Sequence, residues 1–192
     1  MKSQQVRILV VLLLCAVGVA CWFWWGAPAR LTVPQLTPAA ARQAIADFQL
    51  SLAWLENNDY EQALPVLERL AALCPGEAAI QRHRVIGGLL GVAALTGVNE
   101  PEKVARRTEL VTLTRQALQQ LQGFPGEEVP WGLFSARLEL LEGNDAAAVE
   151  FLQEVHEAAP QDPTLAYELA QVALEAEEAP IRERGVAALA TA

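Results

Sequence analysis

Three cysteines, two histidines and one methionine are all that this chain of 192 residues has of the side chains that most often bind metals or carry redox chemistry. Cys15 and Cys21 fall in one apolar stretch near the amino terminus, where pairing with Cys74 is geometrically implausible. Cys74, directly before Pro75 at a helix end, reads as a small buried packing residue. His83 stands between Arg82 and Arg84, and His156 lies between Glu154 and Glu157, so neither has the spacing of a metal ligand. No serine or cysteine has a base at a recognisable spacing, which argues against hydrolysis. The expectation is a protein that is not an enzyme and takes no cofactor or metal. Phe and Tyr together number only seven, and β-branched runs are scarce beyond the amino terminus, so no sheet is expected. Basic residues are short as well: after Gly26 there are 12 Lys or Arg against 23 Asp or Glu. That balance argues against nucleic acid as a partner.

What the chain has in plenty is Ala, Leu, Glu and Gln, which favour helices. Residues 1–26 form a separate physical object. Lys2 and Arg7 precede Ile8–Gly26, 19 residues without a charge, which as a helix reach about 28 Å, close to the hydrocarbon thickness of a bilayer. Trp22, Phe23, Trp24 and Trp25 close the stretch as an aromatic interface belt. The expected reading is an uncleaved, single-pass anchor in an inner (cytoplasmic) membrane. Lys2, Arg7 and the amino terminus stay inside, and the rest of the chain is periplasmic or extracytoplasmic. A rival is a lipoprotein processed at Cys21, suggested by Gly18-Val19-Ala20-Cys21; against it, the apolar run continues past Cys21 into the tryptophans.

Residues 27–37, with Pro28 and Pro34, read as a short tether. Thr37-Pro38 then looks like an N-cap with proline in the first turn. Helical patterns follow over Ala39–Leu55, from Tyr60 to Pro75, Ala78 to about Thr96, Glu100 to about Gln122, Trp131–Leu141, Asp145–Ala159 and Asp162 to about Glu177. A short final helix starts at Pro180, with Val186 to Leu189 covering the last open seam. Asn99 and Glu102 are placed as a cap and box around Pro101. Residues 38–192 thus make one all-α helical domain.

The stretch Asp47–Pro75 organises that domain. Leu50, Ser51 and Trp54 share one helix face, Glu56-Asn57-Asn58-Asp59 breaks it as a polar turn, and Ala63, Leu67 and Leu70 form the seam of a second helix that Pro75 stops. Ala148, Leu152 and Pro160 repeat the spacing of Ala63, Leu67 and Pro75 within the same kind of hairpin, with Gly143-Asn144-Asp145 at the turn. These residues resemble the tetratricopeptide repeat, W-x2-L-G-x2-Y, then A-x3-F, then P, over roughly 34 residues. Leu50, Ala63 and Pro75 agree outright with that pattern; Asp47, Ser51, Trp54 and Leu67 stand where the family has tryptophan, glycine, tyrosine and phenylalanine. Ala63 and Ala148 are 85 positions apart, more than two family periods, so the middle hairpin is expected to be enlarged.

The resemblance implies a short right-handed solenoid of about three to four helical hairpins. It implies a membrane-tethered scaffold or chaperone-like adaptor whose first helices hold a protein or peptide partner in a groove. Carried over onto this sequence, the groove residues are Phe48, Gln49, Leu52 and Leu55 from the first hairpin, Leu133 and Arg137 from the third, and Tyr167 and Gln171 from the last. Leu50, Trp54, Ala63, Leu67, Pro75, Ala148, Leu152 and Pro160 are the packing and punctuation positions. An alternative expectation is a non-catalytic subunit or assembly factor of a cell-envelope complex (secretion, pilus or cytochrome biogenesis) that meets its partners mainly through the span. Charge divides along the chain: residues 82–115 hold six Lys or Arg against Glu100, Glu102 and Glu109, whereas residues 127–192 hold three against 14 Asp or Glu. Solvated helix faces account for such a split most simply. The functional reading is a basic middle that meets an acidic partner or anionic lipid and an acidic end that meets a basic segment.

Overall fold

A computed structural model describes residues 36–175 and, beyond them, 182, 183 and 186. The expected span Ile8–Gly26 and all but the last two residues of the tether lie outside the described residues. Among those described there are seven α-helices and no strand, as composition leads one to expect. They are α1 (Pro38–Glu56), α2 (Tyr60–Leu73), α3 (Ala78–Leu95), α4 (Pro101–Leu121), α5 (Glu128–Glu142), α6 (Asp145–Ala158) and α7 (Pro163–Glu175). None is long and apolar enough to cross a membrane.

The boundaries follow local chemistry. Thr37 caps α1 by accepting the Ala40 N–H at 3.2 Å, with Pro38 behind it in the first turn. The polar turn after α1 brings Asn58 to φ 58°, a conformation asparagine tolerates, and Asp59 then caps α2. Gly143 ends α5 at φ 82°, where only glycine is unstrained. Two expectations need correction. Asn99 does not cap α4: Glu100 holds that place with no side-chain bond to the helix, and Pro101 opens it. The fifth helix starts at Glu128, not Trp131, because Pro130 fits a first turn that has no use for its missing N–H.

Connections of a few residues fold the helices into antiparallel pairs, α1 with α2, α3 with α4 and α5 with α6, and α7 packs on α6. Between pairs, α2 packs on α3 and α4 on α5, while α1 touches α3 and α3 touches α5. The second helices α2, α4 and α6 do not touch one another. The core lies in three clusters, one around Ala63, Leu67 and Leu70, one around Val85, Leu110 and Leu121, and one around Ala148, Leu152 and Leu169.

Small residues set how closely helices approach. Ala63 and Ala148 are fully buried. A β-carbon on Gly88 would lie 2.0 Å from Thr114 Oγ1, one on Gly91 2.8 Å from Leu110 Cδ1, and one on Gly132 2.1 Å from Val155 Cγ2. These glycines are therefore contact points of α3 with α4 and of α5 with α6, and they accept the helix-propensity cost of having no side chain.

Packing positions taken from the sequence are mostly placed inside. Leu67 and Leu152 are buried, Trp54 is half-buried against the first cluster, and Pro75 and Pro160 sit exposed in the turns after α2 and α6. Leu50 is the correction: it is 48% exposed. It precedes the fully buried Ser51 by one residue, about 100° around the helix, and faces away from α2 and α3. Cys74 is half-buried against the first cluster. Val186, the one described member of the expected cover over the last seam, is 56% exposed.

Candidate functional site

Where α3 touches α5 directly, on a side that no residue of α4 or α6 lines, a cleft opens between the two first helices. It measures about 340 Å³, within the range of pockets that hold ligands or side chains. From α3 it takes Ile86, Leu89, Leu90 and Ala93, a stripe repeating at three, four and seven residues. From α5 it takes Phe134, Arg137, Leu140 and Leu141, again on one helix face. The lining is apolar except for Arg137, whose side chain is 59% exposed and reaches Glu168 of α7 at 3.6 Å. An exposed pair at that distance contributes little to stability, so the guanidinium can exchange Glu168 for an acceptor on a partner at small cost.

The predicted groove residues divide. Arg137 lies in the cleft. Tyr167, 63% exposed, and Gln171 lie one turn apart on α7, flanking Glu168. On α1, Gln49 is exposed and Leu52 half-buried. Phe48 packs edge-on against His83 of α3, ring centroids 5.2 Å apart, and against the same core cluster as Ile86 and Leu90. Two residues are not at a groove surface. Leu55 is buried in the first core cluster, facing α2 and α3. Leu133 packs into the cluster of α5, α6 and α7, because it stands one position before Phe134 and so points about 100° away from the cleft.

Sequence reasoning missed the α3 half of the cleft. The signal was present in Ile86, Leu89/Leu90 and Ala93, but the middle hairpin departs most from the family spacing, so no groove position was carried onto it.

Electrostatics also differ from the sequence expectation. All six cations of residues 82–115 are engaged inside the chain. Arg84 is buried and donates to Glu68 at 2.6 and 2.7 Å, to Gln81 at 2.5 Å and to Gln120 at 2.7 Å, tying α3 to α2 and α4. Arg82 pairs with the buried Glu127, and that bond holds its guanidinium pKa above the ordinary value. Arg115 bridges Glu142 at 2.6 Å and Glu139 at 2.9 Å, with Glu142 the main cause of its raised pKa. Arg107 donates to the Leu141 carbonyl at 2.5 Å, near the negative end of α5. Lys103 and Arg106 pair with Glu100 and Glu109 on their own helix. The basic middle is thus not a free positive surface: Arg82, Arg84 and Arg115 meet carboxylates from other parts of the fold, Lys103 and Arg106 meet nearby ones in sequence, and Arg107 is held by a backbone carbonyl.

The histidines are likewise engaged in packing. His83 Nδ1 bonds the Ala79 carbonyl at 2.6 Å, and His156 is buried. No group of three or more potential metal ligands occurs among the described residues. Set against family models, curated proteins and solved structures, the chain matches none.

Proposed function

We propose that this chain is a membrane-tethered, non-catalytic protein-binding module of the tetratricopeptide type. Its first helices α1, α3 and α5, with α7, form the groove that takes a peptide or protein segment. The observation that carries this reading is the order of packing: α1 touches α3 and α3 touches α5, while the second helices touch only first helices. Stacking of that kind puts one row of helices on an inner face, and the apolar cleft with Arg137 at its edge lies on that row. The repeat reading draws further support from Ser51 and Ala136, each 12 residues before the fully buried Ala63 and Ala148 and each buried. Residues of that size suit both helices of a hairpin where they cross. Ile8–Gly26 would hold the module at the membrane, with the groove on the side opposite Lys2 and Arg7.

The test compares the full chain with a fragment beginning at residue 30 for the partners each captures from the same cells. The groove reading expects the fragment to retain the full chain's partner. Capture by the full chain alone would assign recognition to the span.

A further inference from the structure

A different face of α5 is left uncovered by the same packing. Helices α4 and α6 both rest on α5 and not on each other, so α5 floors a furrow between them. Two adjoining hollows lie along it, of about 240 and 220 Å³, and they share Gln122 and Trp131. In the second, Arg115 and Glu139 satisfy each other at 2.9 Å. The first has no such internal neutralisation. Its walls are Val129, Trp131, Val155 and Ala158, and its only charged groups are the carboxylates of Glu128 and Glu154. Both glutamates are exposed. Glu128 accepts the Gly126 N–H at 3.2 Å and Glu154 has no hydrogen bond or ion pair among the described residues. The six cations of residues 82–115 are all committed elsewhere, and Arg137 faces Glu168.

We infer that this hollow is a second docking point, and that it takes one long cationic side chain, arginine before lysine, from a segment of a partner protein. The volume is below the roughly 300–1,000 Å³ of small-molecule pockets, so it suits a single side chain better than a helix or a cofactor. The composition fits the two parts of that side chain. The aliphatic stem lies along Val129, Val155 and Ala158, and the charged head meets two carboxylates and the Trp131 indole. Arginine is preferred because its planar guanidinium stacks on an indole face and forks onto a carboxylate, whereas an ammonium is a point charge and more strongly hydrated. The inference stands apart from the groove between α3 and α5, which has the opposite charge at its edge.

The test is a selection of random nine-residue peptides on the full chain in detergent micelles. It is run in parallel on the unchanged protein, on Glu128→Gln/Glu154→Gln and on Glu150→Gln/Glu157→Gln. The last pair removes equal charge from exposed positions outside the hollow. Peptides with an arginine or lysine beside apolar residues should enrich about tenfold or more, corresponding to about 1.4 kcal/mol, on the unchanged and Glu150/Glu157 proteins. The Glu128/Glu154 change should remove that enrichment. So should Ala158→Arg, which brings the chain's own cation to the same carboxylates. Absence of enrichment, enrichment of peptides without a cation, or equal loss in the two glutamate pairs would overturn the inference, the last by reducing it to general attraction to an acidic surface.

Discussion

Gly132 gives the sharpest prediction about packing, because two opposing effects of known size meet there. Replacing it with alanine improves helix propensity by about 1 kcal/mol. The added methyl, however, would lie 2.1 Å from Val155 Cγ2, where two carbons rest at about 3.5–4.0 Å. Val155 is buried and, being β-branched in a helix, has one favoured rotamer, so it cannot swing aside. Overpacking of this kind costs about 1–3 kcal/mol, which leaves Gly132→Ala destabilising by up to about 2 kcal/mol after the propensity gain. Val155→Ala alone removes two buried methyl groups and should cost about 2 kcal/mol. In the double variant the clash is gone, since the new methyl would lie 3.6 Å from the Val155 β-carbon, an ordinary contact. Urea unfolding of a fragment from residue 30 onward, followed by circular dichroism, measures all four corners of the cycle. The double change should be less damaging than the sum of the single ones by about 1–3 kcal/mol. Additivity to within about 0.5 kcal/mol would mean that Gly132 is not where α5 and α6 touch.

Two further outcomes follow from named contacts. Ala63→Leu and Ala148→Leu should each lose about 1–3 kcal/mol in the same urea assay, whereas Ala147→Leu, at a half-buried neighbouring position, should lose less; the reverse order would move the repeat register by one residue. The Asp47 carboxyl is held below its ordinary pKa, first by the Gln43 hydrogen bond and then by Arg69, so its contribution is present above the unfolded pKa and fades as pH falls through the lower folded value. Asp47→Asn should therefore have a lower urea midpoint than the parent at pH 7, with the gap closing below about pH 3.

Helices and caps were legible in the sequence because they depend on residues a few positions apart. Thr37-Pro38, the Asn57 to Asp59 turn and Gly143 each mark a boundary by local chemistry, and the recurrence of Ala63 and Leu67 in Ala148 and Leu152 placed two fully or nearly buried seams. What failed depended on neighbours distant in sequence. Leu50 fits the family pattern yet is exposed, because no described helix packs on that side of α1. Leu55 and Phe134 show the same limit from the other side: whether an apolar residue joins a core or lines a cleft depends on which helix crosses it. The six basic residues of 82–115 read as a positive stretch in one dimension. The partners of Arg82, Arg84 and Arg115, which are Glu68, Gln120, Glu127, Glu139 and Glu142, come from other helices or loops, which periodicity does not reveal.

Whether the groove of the first helices recognises the partner can be read by site-specific photo-crosslinking in the full chain. One crosslinker replaces Ala93, an exposed residue lining the cleft between α3 and α5. A second replaces Glu61 on the exposed face of α2, and a third is placed within Ile8–Gly26. Recognition by the groove should give a discrete crosslinked partner at Ala93 that is absent at Glu61 and that diminishes on Arg137→Glu. A partner trapped only from within Ile8–Gly26, with Ala93 and Glu61 equally silent, would contradict it.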